Sequence, residues 1–423
     1  MSRPAAAIAA VVGLAWLPSF WGVYQFDDYN VIVNDPTVHS WETLLDRAGA
    51  GVRPLLKASY VLNWTLGPGE VGFHLFNNAV HMLNAVLLFL IGRDLFRNQA
   101  AALAAALAFA LHPAATEAVT YISGRSSSLM ALFYLGALLM YLRGAHWVFS
   151  SLLFLLAVAT RETAATLPAA LLLCEFCRAD RADWREIVRR QWPHWTLLLA
   201  GGGFLLFNQR YFELVAYGYG VRGLGDNLLT QVGGVSYLVW KLISLHGYNI
   251  DPALPTLTEW TAALAFQALM LSSLITLGVL NLRSRPWIAF GVLWFFLQLA
   301  PTNSIVPRLD VANDRQLYLA CWGLFLGLCV QLGRFSIALV AVIPVVFGVA
   351  CVQRQLDYRS EIVLWESSVR LAPWNARAHS NLGYAYQLAG RTADARREYR
   401  TALLLDPSHE KARFNLMFLG PGG

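Results

Sequence analysis

Long apolar runs, each closed by a short polar cluster, recur along the chain from residue 5 to residue 352. Runs of this length predict membrane helices. Eleven spans are expected, near 5–24, 73–92, 99–112, 127–142, 147–160, 163–177, 196–210, 259–281, 286–301, 316–333 and 335–353. Several are shorter than the ~20 residues a straight crossing needs. Their polar ends are therefore expected to sit below the membrane surface, inside a protein-lined cavity. The stretch 229–247 admits two readings. It is long enough to cross, yet it carries Lys241 and His246. Read as an interfacial or re-entrant helix, it leaves "RSR" (283–285), Arg334 and the Arg-rich turn 177–190 together on the cytoplasmic side. That reading is preferred, because it also unites the motifs below on one outer face.

Between the first two spans, residues 25–72 form an outer loop too long for a simple turn. Within it "SWETLLDRA", with Ser40 as N-cap, and "RPLLKASYVLNWTLG", with Pro54 near its start, predict two helices. Both are amphipathic enough to lie on the membrane surface. From residue 354 the pattern turns soluble and helical. "ARAHSNLGYAYQLAGRTADARREYRTALLLDPSH" (376–409) follows the 34-residue tetratricopeptide pattern. Leu382, Gly383 and Tyr386 belong to its first helix, Ala395, Tyr399 and Ala402 to its second, and Pro407 ends it. Trp365, Ser368 and Pro373 stand 34 residues before Tyr399, Ala402 and Pro407, and Asn415-Leu416 stand 34 after Asn381-Leu382. The expected organisation is a membrane domain over 1–353 and an extracytoplasmic module over 354–423, built from half a repeat, a whole one and a capping helix. So few repeats rarely stand alone, so the module must lean on the membrane domain or a partner.

Composition agrees with the pattern. The 423 residues are 57 % hydrophobic and 14 % charged, where a soluble domain carries about 25 % charged residues. The net charge of +6 does not argue for nucleic acid; the turn "CRADRADWREIVRR" (177–190) sets five arginines against three acidic residues, as a cytoplasmic loop would have it. Cys174 and Cys177 form a lone C-x-x-C without a second pair and read as helix-face residues. "LPSFWG" lacks a small-residue cleavage site, so the N-terminal run is kept as an anchor.

Ionisable residues at span ends are costly and so are functional candidates. Asp27 and Asp28 close the first span. His112, Glu117 and Arg125 lie in "LHPAATEAVTYISGR" (111–125), Arg161 and Glu162 in "TRET", and Asp314, Arg315 and Tyr318 in "VANDRQLYLA". Each has a plainer reading. The aspartates can be a solvated helix end, and His112 with Pro113 can simply stop a helix. Arg161 and Glu162 read first as a structural ion pair. Arg125 and Arg315 can mark the interface by snorkelling, and Arg53-Pro54 is open between the two readings. Together these carboxylates, guanidiniums and the histidine suit an anionic lipid headgroup better than a transported ion. No nucleotide-binding Gly-rich loop or metal-ligand cluster is visible, so no cofactor is assigned and a divalent metal is not favoured.

The ordered strings "FDDYNVIVNDP", "RPLLKASYVLNW", "FHLFNNAVHMLNAVLLFL", "LHPAATEAVTYISGRS", "RETAATLPAALLL" and "NDRQLYLA", followed by a tetratricopeptide repeat, resemble the transmembrane and tetratricopeptide-repeat-containing family. The resemblance runs over nearly the whole chain. It implies an all-α GT-C glycosyltransferase fold of about eleven spans, a polyprenyl-phosphate sugar donor, and repeats on the luminal or periplasmic side. Animal members are protein O-mannosyltransferases of the endoplasmic reticulum. The aspartates, His112, Glu117, Arg125 and Arg315 match the family's motifs. The chain departs from them at Ser127, where an acidic residue commonly follows "SGR", and at Ala115, where a second histidine is common. Its 29 arginines against 3 lysines and its many alanines point to a high-GC bacterium, with the site facing the periplasm.

The expected chemistry is transfer of a hexose, mannose-like, from the lipid phosphate to an acceptor hydroxyl of a protein Ser or Thr. One aspartate, Asp28 in preference to Asp27, would be the general base, its pKa raised by its neighbour's charge and by burial. Arg315, with Arg125 and Arg53, would neutralise the departing phosphate. His112, Glu117, Arg161, Glu162 and Tyr318 would support the pocket. In the repeat module Asn381 and Asn415 occupy equivalent first-helix positions where side-chain amides can pair with an extended acceptor peptide, or can merely fit the repeat consensus. The rival readings are a non-catalytic membrane anchor for protein docking and a lipid-linked sugar flippase. The first leaves the acidic and basic rim without a purpose, and the second would want polar residues deep in several spans.

Overall fold

A computed structural model of the chain describes residues 3–46, 52–178, 183–207 and 209–420. Residues 47–51 of the expected outer loop, 179–182 of the Arg-rich turn and 208 of the span expected at 196–210 lie outside the described residues. Everything described is helix or connecting turn, without a strand. The first apolar run is α1 (Arg3–Ala15), prolonged by a 3-10 turn over Leu17–Trp21. The outer loop carries α2 (Trp41–Asp46) and α3 (Pro54–Leu66). Ser40 Oγ accepts from the Thr43 amide at 3.2 Å, the expected N-cap. Pro54 stands in the first turn of α3, where no N–H is needed.

α4 (Glu70–Phe96) follows, then α5 (Gln99–Leu111), the short α6 (Thr116–Val119), α7 (Arg125–Leu142), α8 (Trp147–Thr160) and α9 (Leu167–Cys177). α10 (Trp184–Phe207) begins well before the expected span at 196 and runs through Pro193. After it come α11 (Gln209–Val221), α12 (Leu224–Ser244), α13 (Ala262–Leu280), α14 (Pro286–Leu299), α15 (Leu317–Leu332) and α16 (Ile337–Gln355). Six of the described helical segments are long and apolar enough to cross a membrane, or seven if α5 and the bent segment Pro113–Val119 form one span. α8 and α14 are shorter apolar helices. α4 reaches about 40 Å at 1.5 Å per residue, more than a ~30 Å hydrocarbon core requires.

The buried seam of α4 is polar, and this explains much of the fold. His74, Asn77, Asn78, His81 and Asn84 recur at helical spacing and are all buried. Each of them serves a neighbouring element. Pro113 has no N–H, and the Ala114 amide is taken by His112 Nδ1, so the helix bends by 54° and carbonyls are released. The Ala110 carbonyl accepts from Trp16 Nε1 at 3.0 Å and lies 3.0 Å from His81 Nε2. Asn77 Nδ2 donates to the Val119 carbonyl at 3.0 Å, and Asn84 Nδ2 donates to that of Ser128 at 2.8 Å. Irregular backbone survives in an apolar interior only where such partners exist.

The C-terminal helices α17 (Glu361–Leu371), α18 (Ala376–Leu388), α19 (Thr392–Leu405) and α20 (Glu410–Phe418) are the half repeat, the whole repeat and the cap that the 34-residue spacing predicts. Their core of Trp365, Leu382, Tyr386 and Tyr399 also takes in Tyr121 and Ile250 from the preceding part of the chain. Asp251 accepts two bonds of 2.6 Å from Arg377, which also reaches Asp310 at 2.8 Å. These helices therefore contact the preceding part of the chain through both apolar and ionic contacts.

Gly383 permits the close crossing of α18 and α19, since a Cβ there would stand 2.8 Å from the Tyr399 ring. Gly383→Ala is expected to destabilise the module by about 1–3 kcal/mol, the usual effect of overpacking. Limited proteolysis of the full-length protein should then cut the 376–409 segment sooner. Pairing the change with Tyr399→Leu should relieve it, giving a less than additive loss.

Candidate active site

After the first apolar helix the chain turns sharply, with Phe26 in the left-handed region at φ 41°. Asp28 follows and is fully buried. Its Oδ2 accepts from the Gln25 amide at 3.0 Å and its Oδ1 from the Ser123 amide at 2.7 Å. Burial pushes this carboxyl up to about 7, against the pull of the two amides; the neighbouring Asp27 contributes least. The mutual repulsion expected of the pair is thus a minor effect beside desolvation. Asp27 differs in position. It is partly exposed, lines a cavity of about 360 Å³, and its amide donates to Tyr121 Oη at 3.0 Å. Burial raises its carboxyl too, the Arg315 charge opposing and the Asp310 charge adding. Both oxygens of Asp28, the aspartate preferred from the sequence as base, are engaged by backbone amides, and Asp27 is the aspartate that faces open space.

The cavity gathers five cations around Asp27: Arg53, Lys57, Arg161, Arg308 and Arg315. Three have carboxylate partners. Arg53 grips Glu162 through bonds of 3.0 and 2.6 Å. Burial alone would raise the Glu162 carboxyl, and the Arg53 charge overrides it and brings the group to about 2. The Arg161–Glu162 ion pair expected from the sequence is therefore replaced by Arg53–Glu162. Lys57 lies 3.2 Å from Asp35. Glu117 receives the Arg315 amide at 3.0 Å and stands 3.5 Å from its Nε.

Arg161 and Arg308 are different. Arg161, 5 % exposed, donates only to Ser126 Oγ at 3.1 Å and Ser127 Oγ at 2.5 Å, and its buried Nε has no partner. Among the described residues neither guanidinium has a carboxylate within ion-pair distance. Burial lowers the Arg161 pKa, and the charges of Arg53 and Arg308 lower it further. Arg161 is buried and Arg308 half-buried, and two neighbouring like charges without a carboxylate partner among the described residues make a place for an anion. Ser127, which stands where an acidic residue is common in the resembled family, is here the hydroxyl that holds Arg161.

Three residues expected at the site lie outside it. Arg125 is completely buried and donates to Asn77 Oδ1 at 2.6 Å, the Ser59 carbonyl at 3.0 Å and the Phe73 carbonyl at 3.3 Å, with the Phe76 ring 4.3 Å away. It clamps α3, α4 and α7 and does not reach the cavity. His112 caps the turn after α5 and is packed against Tyr248, Phe325 and Phe347. Tyr318 is buried, its hydroxyl 2.7 Å from His81 Nδ1 and 3.0 Å from Asn84 Nδ2. Glu117 acts through Arg315. Gly124 lets this region pack, since a Cβ there would lie 1.9 Å from the Glu117 carbonyl oxygen.

Asn381 and Asn415 share a second cavity of about 600 Å³ with Phe26, Tyr29, Asn30, Trp365 and Tyr384. The Asn381 Nδ2 is buried there without a hydrogen-bond partner. One turn of chain separates the two cavities: Phe26, Tyr29, Asn30 and Asn34 face the repeat-side groove, whereas Asp27, Val31 and Asp35 face the arginines. Sequence reasoning missed Arg308, Lys57 and Tyr121. Lys57 and Tyr121 lay inside quoted motifs, but nothing in the local pattern marks Arg308. Among the described residues no group of three or more His, Cys, Asp or Glu could hold a metal ion.

Two family profiles match the chain, one described as Mannosyltransferase (PIG-V) over residues 55–184 and one as tetratricopeptide repeat over residues 376–409. The chain is 25 % identical to a protein O-mannosyl-transferase of Caenorhabditis elegans over 94 % of its own length and 62 % of that protein. It is 25 % identical to human protein O-mannosyl-transferase TMTC4 over 89 % of its length and 63 % of that protein. A 38 % identical match to protein O-mannosyl-transferase Tmtc1 of Drosophila melanogaster covers 35 % of the chain and 18 % of that protein. No solved structure matches the chain. The chain spans about three-fifths of the length of the first two of these relatives.

Proposed function

We propose that the protein is a GT-C-type membrane glycosyltransferase that moves a mannose-like sugar from a polyprenyl-phosphate donor to a Ser or Thr hydroxyl of a polypeptide, on the extracytoplasmic face. The observation that carries this reading is the cavity in which Asp27 faces Arg161 and Arg308, two guanidiniums without a carboxylate in ion-pair distance among the described residues. The similarity to named mannosyl-transferases supports the sugar and the protein acceptor. In this reading residues 1–353 form the membrane domain, its shorter apolar helices completing about eleven spans around the cavity, and 354–423 form the repeat module.

The acceptor oxygen attacks the anomeric carbon as the bond from that carbon to the phosphate oxygen breaks. Asp27 takes the hydroxyl proton, and the lipid phosphate leaves with the electron pair of the broken bond. Arg161 and Arg308, with Arg315 held by Glu117, balance the negative charge that develops on it. A carboxylate of ordinary pKa is a weak base, and burial makes Asp27 a stronger one. Asp28 fixes the turn by holding the amides of Gln25 and Ser123. Asn381 and Asn415 receive an extended acceptor segment in the groove behind that turn.

Transfer measured in proteoliposomes with a polyprenyl-phosphate mannose donor should fall by about 10²–10⁴-fold in Asp27→Asn, the range for loss of a general base. A wild-type rate in that variant would sink the proposal. Asp28→Asn should act first on stability, because an amide cannot accept both backbone N–H groups. A buried donor left unpaired costs about 1–3 kcal/mol, to be seen as a lower melting temperature that Asp27→Asn does not share. Arg161→Gln and Arg308→Gln should each raise the KM for donor more than that for acceptor.

Because the Asp27 carboxyl is raised, the active, deprotonated form is lost as pH falls through its elevated pKa. The acid limb of kcat/KM should therefore lie above the ordinary carboxylate range near ~3.9. A flat profile down to that range would contradict Asp27 as the base.

A further inference from the structure

Phe26 stands immediately before Asp27, and its φ of 41° is one that bulky residues rarely hold. Such conformations persist only where the surroundings over-determine them. Here the surroundings belong to the repeat module. The Phe26 ring meets Trp365 of α17 edge to face, with centroids 5.3 Å apart and planes at 78°. It packs against the same core that joins α17, α18 and α19. Just upstream, Val23 N–H and Gln25 Nε2 both donate to the Tyr358 carbonyl, at 3.3 and 3.0 Å. The turn is thus fastened to the approach to the repeats and to their first helix before the chain reaches Asp27.

The direction of the two side chains follows from this attachment. Phe26 enters the module while its neighbour Asp27 points the other way, into the arginine-lined cavity. Turning Phe26 out of its seat would rotate the backbone that carries the Asp27 carboxylate. We infer that Phe26, seated on Trp365, is the positioning residue that aims Asp27 into the cavity, which makes the repeat module a working part of the reaction centre as well as a surface for acceptors. The inference rests on the reading of Asp27 as the base, and it adds a dependence that acceptor binding alone would not create.

The test uses the full-length protein in liposomes, comparing Phe26→Ala, Trp365→Ala and the conservative Trp365→Phe, with Asp27→Asn as control. In both alanine variants kcat should fall by about 10²-fold, the scale for a reacting group displaced by about 1 Å, with the KM for donor unchanged. The acid limb of the rate should also move to lower pH, as a displaced Asp27 becomes hydrated. The groups facing Asp27 that shape this limb are Arg315, Asp310, Tyr121 and Arg377, with Asp28 adjacent in the chain. Trp365→Phe should restore both kcat and the limb. Hydrogen exchange should quicken at the amides of residues 26–28 in the alanine variants while α18 and α19 stay protected.

Phe26→Ala with kcat within about two-fold of wild type and an unmoved limb, against an inactive Asp27→Asn control, would overturn the positioning role and leave the base assignment intact. Loss of kcat accompanied by loss of protection throughout α18 and α19 would reduce Phe26 to a packing residue and also overturn it. An active Asp27→Asn control would instead reject the base assignment, and the positioning role with it.

Discussion

A backbone that breaks its helices inside an apolar interior must find new partners for every carbonyl and amide it frees. That requirement organises this protein. The bend after α5, the turns before α7 and the turn after α1 all release backbone groups, and side chains from elsewhere meet them. α4 supplies most of these partners through His74, Asn77, Asn78, His81 and Asn84. Asp28 supplies two more, using a buried carboxylate as a double acceptor for Gln25 and Ser123. Arg125 performs the converse task, delivering donors to the Ser59 and Phe73 carbonyls. The candidate site exists because these irregular segments converge.

The same requirement separates two kinds of charged residue that look alike in the sequence. Arg125, Glu117 and Asp28 are internal connectors, and most of their hydrogen-bonding capacity is used by the fold. Asp27, Arg161 and Arg308 face a cavity and retain capacity for a ligand. The distinction is energetic. A buried charge without a partner is unfavourable enough that a fold keeps it only where a ligand or water can complete it. The serines that hold Arg161 give it partial solvation without neutralising it, which leaves its charge available to an anion.

The turn over residues 26–35 gives the arrangement its direction, because its two sides face different chemistry. One side meets arginines and suits an anion; the other meets the first helices of the repeats.

Much of this was legible from the chain alone. Apolar run length located the helices, and the 34-residue spacing located α17 to α20, because both signals are periodic and local. The acidic pair after the first run and the basic residues at later helix ends marked the face of the site, since charge next to an apolar run is rarely without consequence. Which charges meet could not be read that way. Arg53 is separated by more than a hundred residues from Glu162, its partner, while Arg161 beside Glu162 in sequence turns to Ser126 and Ser127 instead. Arg308 carried no local mark at all. Nor could the sequence tell Asp27 from Asp28, since adjacent residues share every local signal and differ only in the direction they point. That direction came from long-range contacts, Ser123 drawing Asp28 inward and Trp365 seating Phe26 on the far side. Periodicity records what each segment buries; pairing depends on where distant segments come to lie, and only the tertiary structure decides that.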